Sequence, residues 1–282
     1  MVDRGRTGYL IPTVRHRVYE CGCSSLTCRE VMHMADRLNG KVAVVTGASS
    51  GIGEATVRAL VAEGAAVVAG ARRRERLEEL VESVTHDGGK AIAVKCDVTD
   101  EEQAHKLVQR AVEEFGKIDI LVNNAGIMLL STVGKSLSDQ WRAMFEVNVM
   151  GLLYATDAAI SHMKEQGLGH LVNISSVAGR KVTRDSSGVY AGTKHAVNAI
   201  SEGLRQELLE DNIRVSIVGP GAVDTELPDH ITDEEAREGL SGLMSLERLQ
   251  AEDIAEAIVY AVTQPGRVSV NEILIRPTQQ PV

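Results

Sequence analysis

The chain has 282 residues, 44% hydrophobic and 24% charged, which is enough apolar material for one large α/β domain and excludes a fibrous or wholly disordered chain. Its formal net charge of −9 argues against a nucleic-acid or anionic-membrane surface, and no apolar run reaches the roughly 18 residues that a spanning helix needs. Three of the four cysteines crowd into "CGCSSLTC", which is no disulfide framework, so a reducing cytoplasm is the expected compartment.

Residues 1–38 show no clear hydrophobic period and lack the apolar core of a secretory signal, so a disordered extension is expected ahead of a domain spanning 39–282. Cys21, Cys23 and Cys28 with His16 or His33 lack the second ligand pair of a structural zinc site, and no metal is expected. From Lys41 the pattern alternates: "KVAVVT", a helix over 51–63, "AAVVAG", a helix over 73–86, "AIAVKC", a helix over 101–115, then "DILVNN". The second half continues with a helix over 138–163, "HLVNISS", a helix over 189–210, "IRVSIVGP", a helix over 251–263 and "EILIRP". Near-continuous apolar strands separated by helices predict a single Rossmann-type, doubly wound α/β domain: a seven-stranded parallel sheet with helices on both faces. One long irregular stretch, about 221–250, reads as a substrate lid, with a short helix in "TDEEAREGL" where Thr232 and Glu235 have the spacing of a capping box.

Directly after the first strand, "TGASSGIG" places Gly47, Gly51 and Gly53 at the opening of a helix, with Ser49, Ser50 and Ile52 between them. Glycines let the backbone turn sharply and approach a pyrophosphate, which the free N–H groups of a helix start then stabilise. At the end of the second strand, an enzyme that uses NAD carries an acid for the adenosine ribose; here Ala71 stands at that position and Arg72 follows. A guanidinium offers a fork of donors to a 2′-phosphate, with Arg73 or Ser49 as helpers, so NADP (NADPH) is the expected cofactor. In "YAGTK", Tyr190 and Lys194 lie one helical turn apart on one face, and the ammonium is expected to lower the phenol pKa.

Taken in order, "TGASSGIG", "NNAG", "NISS", "YAGTK" and "PGAVDT" resemble the short-chain dehydrogenase/reductase family over roughly 39–280. The resemblance implies an oxidoreductase in which Tyr190 is the general acid/base, Lys194 lowers its pKa and binds the nicotinamide ribose, and Asn148 belongs to a proton relay. The serine that hydrogen-bonds the reacting oxygen maps to Ser176, with Ser175 the alternative, because the loop before Tyr190 is one residue longer than the family's usual spacing. Asp97 resembles the acid that contacts adenine, with Val98 against the ring; an acid capping the next helix is the competing reading of Asp97. Asn124, Ala125 and Gly126 would line the cofactor ribose, and Pro220, Gly221, Val223 and Thr225 would hold the nicotinamide end. A homotetramer is implied as well, built from the helices over 101–115 and 138–163 or from the C-terminal strand and helices.

Further stretches, "NNAGIMLL", "AGRKVTRD", "DTELPDHIT", "LQAEDIAEAIVYAVT" and "EILIRPT", are similar to the clavulanate (clavaldehyde) dehydrogenase branch and its NADP-dependent 3-hydroxy acid dehydrogenase neighbours. That implies a small aldehyde, ketone, alcohol or 3-hydroxy acid as substrate, in a pocket that includes Met128, Val177, Val182 and the segment 226–248. Ser186 and Ser187 are expected to be ordinary loop polar residues, and His195 to be structural. The alternative function is a catalytically silent dinucleotide-sensing regulator, disfavoured because a sensor has no need of the acid/base pair.

Overall fold

The computed structural model describes residues 36–182 and 184–281. All five residues of β1 (Val42–Thr46) are buried, the environment that a run such as VAVVT requires at the centre of a covered sheet. The remaining strands are β2 (Ala66–Ala71), β3 (Lys90–Lys95), β4 (Ile120–Asn123), β5 (Gly169–Ile174), β6 (Ile213–Pro220) and β7 (Glu272–Ile275). They lie in the order β3-β2-β1-β4-β5-β6-β7, with every neighbouring pair parallel. Chain order reverses between β1 and β4, where crossovers leave in opposite directions and a crevice opens at the strands' carboxyl ends.

Alternation along β1 divides the core. Ala43 and Val45 pack with Val57 and Leu60 of α1 (Gly51–Ala62), Leu77 and Leu80 of α2 (Arg74–His86), and Ile254 and Ile258 of the C-terminal helix (Ala251–Val262). Val42 and Val44 point the other way, toward Leu107 and Val108 of α3 (Glu101–Phe115) and toward two later helices, through Ala159 and Met163 and through Leu204.

The stretch read as one helix over 138–163 is broken. It forms α4 (Ser138–Phe145), a π-helical turn over Glu146–Met150, and α5 (Gly151–Gln166). It is followed by α6 (Gly188–Glu207), the short α7 (Glu234–Glu238) and α8 (Ser241–Met244), and α9, the helix Ala251–Val262. The cap of α7 is Asp233, which accepts from the Ala236 N–H at 3.2 Å, rather than Thr232, whose hydroxyl accepts from Gln140 at 2.8 Å. Of the expected extension 1–38 only 36–38 are described, and the zinc-like cysteines lie outside the described residues. Leu38 is buried and donates its N–H to the Glu63 carbonyl at 2.8 Å, so core packing begins just ahead of residue 39.

His170 on β5 is buried with Nε2 2.8 Å from Ser216 Oγ, and Ser216 spends its own proton on the Val270 carbonyl. Nε2 therefore carries the ring proton, and Nδ1 has no partner among the described residues. Burial, followed by the nearby Arg214 charge, pushes the imidazole down to about 3 from its ordinary 6.5. The unfolded chain then binds a proton that the folded chain does not, so this stabilisation is present above pH 6.5 and is lost as pH falls below it. We expect unfolding stability to drop by about 1.4 kcal/mol per pH unit between roughly pH 6 and 5, before carboxylates titrate. Urea titrations at successive pH values check this. A His170→Gln variant that keeps the wild-type slope would contradict it.

Candidate active site

Carboxyl ends of the central strands surround a cavity of about 610 Å³. One wall is the loop between β1 and α1. Gly47 turns it at φ +65°, and a Cβ there would stand 2.8 Å from Ala125 Cα, so no larger residue fits. The Asn124 amide holds the loop by donating to the carbonyls of Thr46 at 2.9 Å and Gly47 at 3.2 Å, while Thr46 Oγ1 accepts from the Asn124 and Ala125 N–H groups. Ser50 stands at the N-cap of α1 yet makes no side-chain capping bond, which leaves first-turn N–H groups for another acceptor. Ser49, Gly51 and Ile52 line the cavity here. An uncapped helix start behind a glycine turn fits a pyrophosphate. Gly53 is not among the wall residues: it is buried behind the loop, where a Cβ would clash with the Gly47 carbonyl, so its role is packing.

Next to this loop, Ala71, Arg72 and Arg73 form the rim at the end of β2. Each of the three guanidinium nitrogens of Arg73 is engaged: Nε donates to Ser49 Oγ at 3.0 Å, Nη2 to Ser50 Oγ and Nη1 to Glu226 at 2.7 Å. Arg72 is exposed on the cavity edge and forms no hydrogen bond or ion pair with a described residue. Asp97 and Val98 continue the wall. The Asp97 carboxylate accepts from the N–H of Thr99 at 3.1 Å and its hydroxyl at 2.8 Å, whereas Asp100 caps α3 by accepting from the Gln103 N–H at 3.1 Å. Asp97 is thus not the helix cap.

At the opposite end, α6 brings Tyr190 and Lys194 to the cavity, with Lys194 Nζ 5.9 Å from the centre of the Tyr190 ring. Both are buried, and Nζ donates to the Ile174 carbonyl at 2.9 Å. Burial pushes the phenol up to about 12, with the Ser176 hydroxyl pulling the other way, and pushes the Lys194 ammonium down to about 8. In the chain alone burial, and not Lys194, sets the direction of the phenol's shift: both groups lose water, and the ammonium donates to the Ile174 carbonyl. Ser176, after β5, is the serine beside the phenol; Ser175 also reaches the cavity wall, but its buried hydroxyl faces the Lys194 carbonyl at 3.4 Å.

Asn148 does not line the cavity. It sits in the π-helical turn, accepting from the Ile127 N–H at 2.8 Å and donating to the Ile127 carbonyl at 2.9 Å and to Thr193 Oγ1 at 3.1 Å, which braces the strand end carrying Gly126 against the helix carrying Lys194. Pro220 ends β6, and Gly221, Val223 and Thr225 follow it along the cavity wall, which Ala125 and Gly126 also line. Met128 and Val177 line the cavity as expected; Val182 is 53% exposed and does not.

Ser187, expected to be ordinary, is a buried wall residue that fixes its own loop through the Arg184 backbone. Three further wall residues were given no individual role by the sequence, although Arg184 and Glu226 lie in quoted stretches and Glu226 in the expected pocket segment 226–248. Arg184 donates to the Gly239 carbonyl, Gln280 accepts from the Ala222 N–H at 2.9 Å, and Glu226 pairs with Arg73 and Arg76. His195 bonds the Ala191 carbonyl at 2.8 Å, away from the cavity.

A phosphate-type loop at one end and a buried tyrosine and lysine at the other, across the switch point of a parallel sheet, define an oxidoreductase that works with a nicotinamide dinucleotide. Residues 41–236 match the short chain dehydrogenase family model, and the chain belongs to that family. An uncharacterized oxidoreductase of Staphylococcus saprophyticus is 45% identical over 248 residues, which covers 87% of this chain and 99% of that protein. Among solved structures, the closed form of a serine dehydrogenase complexed with NADP+ superposes with a TM-score of 0.79 at 32% identity, covering 86% of this chain and 96% of its own. A family member from Burkholderia phymatum in complex with NAD gives 0.77 at 29% identity, covering 84% and 89%. Both nicotinamide cofactors occur among such relatives, so the choice here rests on this chain's own residues.

Proposed function

We propose that the protein is a cytoplasmic, NADP(H)-dependent reductase or dehydrogenase that moves a hydride between nicotinamide and the carbonyl or alcohol carbon of a small molecule. The observation that carries this reading is one cavity with Ser176 beside the buried Tyr190 and Lys194 at one end and, at the other, Arg72, which has no hydrogen-bond or ion-pair partner among the described residues. The bound nicotinamide supplies or accepts the hydride. Ser176 donates a hydrogen bond to the reacting oxygen, where negative charge builds during reduction, and Tyr190 delivers the proton. Lys194 holds the nicotinamide ribose and adds positive charge near the phenol, and Asn148 positions it from behind. The loop from Gly47 to Ile52 takes the pyrophosphate, Asp97 and Val98 the adenine, Asn124, Ala125 and Gly126 the ribose, and Pro220, Gly221, Val223 and Thr225 the carboxamide. Arg72 takes the 2′-phosphate, with Arg73 beside it.

Met128, Leu130, Val177 and Leu246 make the substrate end largely apolar, which suits a small aldehyde, ketone or 3-hydroxy acid, or a clavulanate-9-aldehyde-like compound, under a lid formed by 221–250. No described helix is long and apolar enough to cross a membrane. Phe145 on α4, Tyr260 on α9 and Leu274 on β7 are large exposed apolar side chains on the elements expected to assemble a homotetramer. The test is the loss of reduced-nicotinamide absorbance when the protein meets NADPH and a panel of aldehydes, ketones and keto acids, on a preparation whose mass by light scattering is that of four chains. Cofactor binding without turnover of any carbonyl or alcohol would favour the silent sensor instead, and a monomer at micromolar concentration would remove the tetramer.

A further inference from the structure

At the rim of the cavity, a carboxylate from the lid occupies the cations that follow β2. Glu226 lies 153 residues after Arg73 and 150 after Arg76, yet its two oxygens take Arg73 Nη1 at 2.7 Å and Arg76 Nη1 at 2.6 Å. The same Arg73 guanidinium holds Ser49 and Ser50 of the glycine loop, and Thr225, next to Glu226, packs over Gly51. One guanidinium therefore joins the phosphate loop, the end of β2 and the root of the lid.

We propose that Glu226 is a resident anion of the 2′-phosphate subsite: its carboxylate and the cofactor's phosphate compete for Arg73, so Glu226 limits affinity for the phosphorylated cofactor and ties its binding to release of the lid. This rests on the NADP(H) reading above. The side chains of Arg73, Arg76 and Glu226 are each more than 40% exposed, and water and salt screen such a pair strongly. A phosphate of nearly two negative charges is the stronger partner for a guanidinium fork and displaces it. NADH has no phosphate and leaves the pair intact. Glu226 thus sharpens a distinction: arrival of a 2′-phosphate, and not of the dinucleotide as such, frees the segment that begins at Leu227.

Glu226→Gln removes the charge and keeps the shape and an acceptor oxygen. Titration calorimetry with adenosine 2′-monophosphate, adenosine 5′-monophosphate, NADPH and NADH reads binding without turnover. We expect the variant to bind adenosine 2′-monophosphate and NADPH about 3- to 10-fold more tightly at low salt, a gain that shrinks in about 0.5 M salt, with the 5′-monophosphate and NADH unchanged. Unchanged or weaker binding of both 2′-phosphorylated ligands, while Arg72→Ala still weakens NADPH, overturns the inference and leaves the NADP(H) reading standing. A wild type that binds NADH as tightly as NADPH, with Arg72→Ala indifferent to both, overturns the two together. An equal gain for the 5′-monophosphate would show a general charge effect and also overturn the inference.

Discussion

Replacing Tyr190 by Phe is expected to lower turnover by about 10²–10⁴-fold, the usual worth of a positioned proton donor, while thermal stability and cofactor affinity stay near wild type. The ring packs among Leu130, Met144, Ala191 and Ile231, and Phe keeps those contacts, so only the hydroxyl is lost. Protonation sets the direction of a second effect. With the phenol pushed up to about 12, the site holds the acid form at neutral pH, which is the form that carbonyl reduction needs. Alcohol oxidation needs the phenolate instead, so its rate should climb as pH rises above neutral while reduction does not. Parallel pH profiles of the two directions check this, together with the melting temperature of the variant. A Tyr190→Phe protein with wild-type turnover would remove Tyr190 from the chemistry.

How much of this was legible depended on how local each signal was. Strand runs such as VAVVT and helix periods such as that of α3 report burial directly, so the sheet and its crossovers followed from the sequence. The π-helical turn over Glu146–Met150 did not, because one extra residue in a helical turn barely disturbs the spacing of apolar side chains. Caps slipped where acids cluster: Asp233 lies next to Thr232, and Asp100 three residues after Asp97, and only the backbone geometry tells which one meets a free N–H. In the site, Gly47, Arg72 and the Tyr190–Lys194 pair sit in short motifs with their own mechanics. Glu226 and Gln280 reach the cavity from a lid and a tail whose positions depend on contacts distant in sequence. Helical spacing placed Tyr190 and Lys194 on one face, but it carried no information on burial. Burial governs both pKa values.

The double substitution Ala71→Asp with Arg72→Ile is expected to turn cofactor preference from NADPH to NADH. Ala71 ends β2, buried but bordering the cavity, and its carbonyl accepts the Cys96 N–H at 2.9 Å, a backbone bond that Asp leaves in place. A carboxylate at that position accepts hydrogen bonds from the ribose hydroxyls and repels a 2′-phosphate. Removing the Arg72 guanidinium deletes a charge-assisted contact worth about 1.5–3 kcal/mol, or roughly 10- to 150-fold in affinity for NADPH, with no comparable loss for NADH. Arg73 does not replace it cheaply, because each of its three nitrogens already donates, to Ser49, Ser50 and Glu226. Ratios of kcat/KM for the two cofactors, with dissociation constants measured alongside, separate this from a folding defect. Equal or better efficiency of the wild type with NADH would show that Arg72 does not read the phosphate. Retained NADPH preference in the double variant would transfer that role to Arg73, and the exchange of partners at Glu226 would then carry the discrimination.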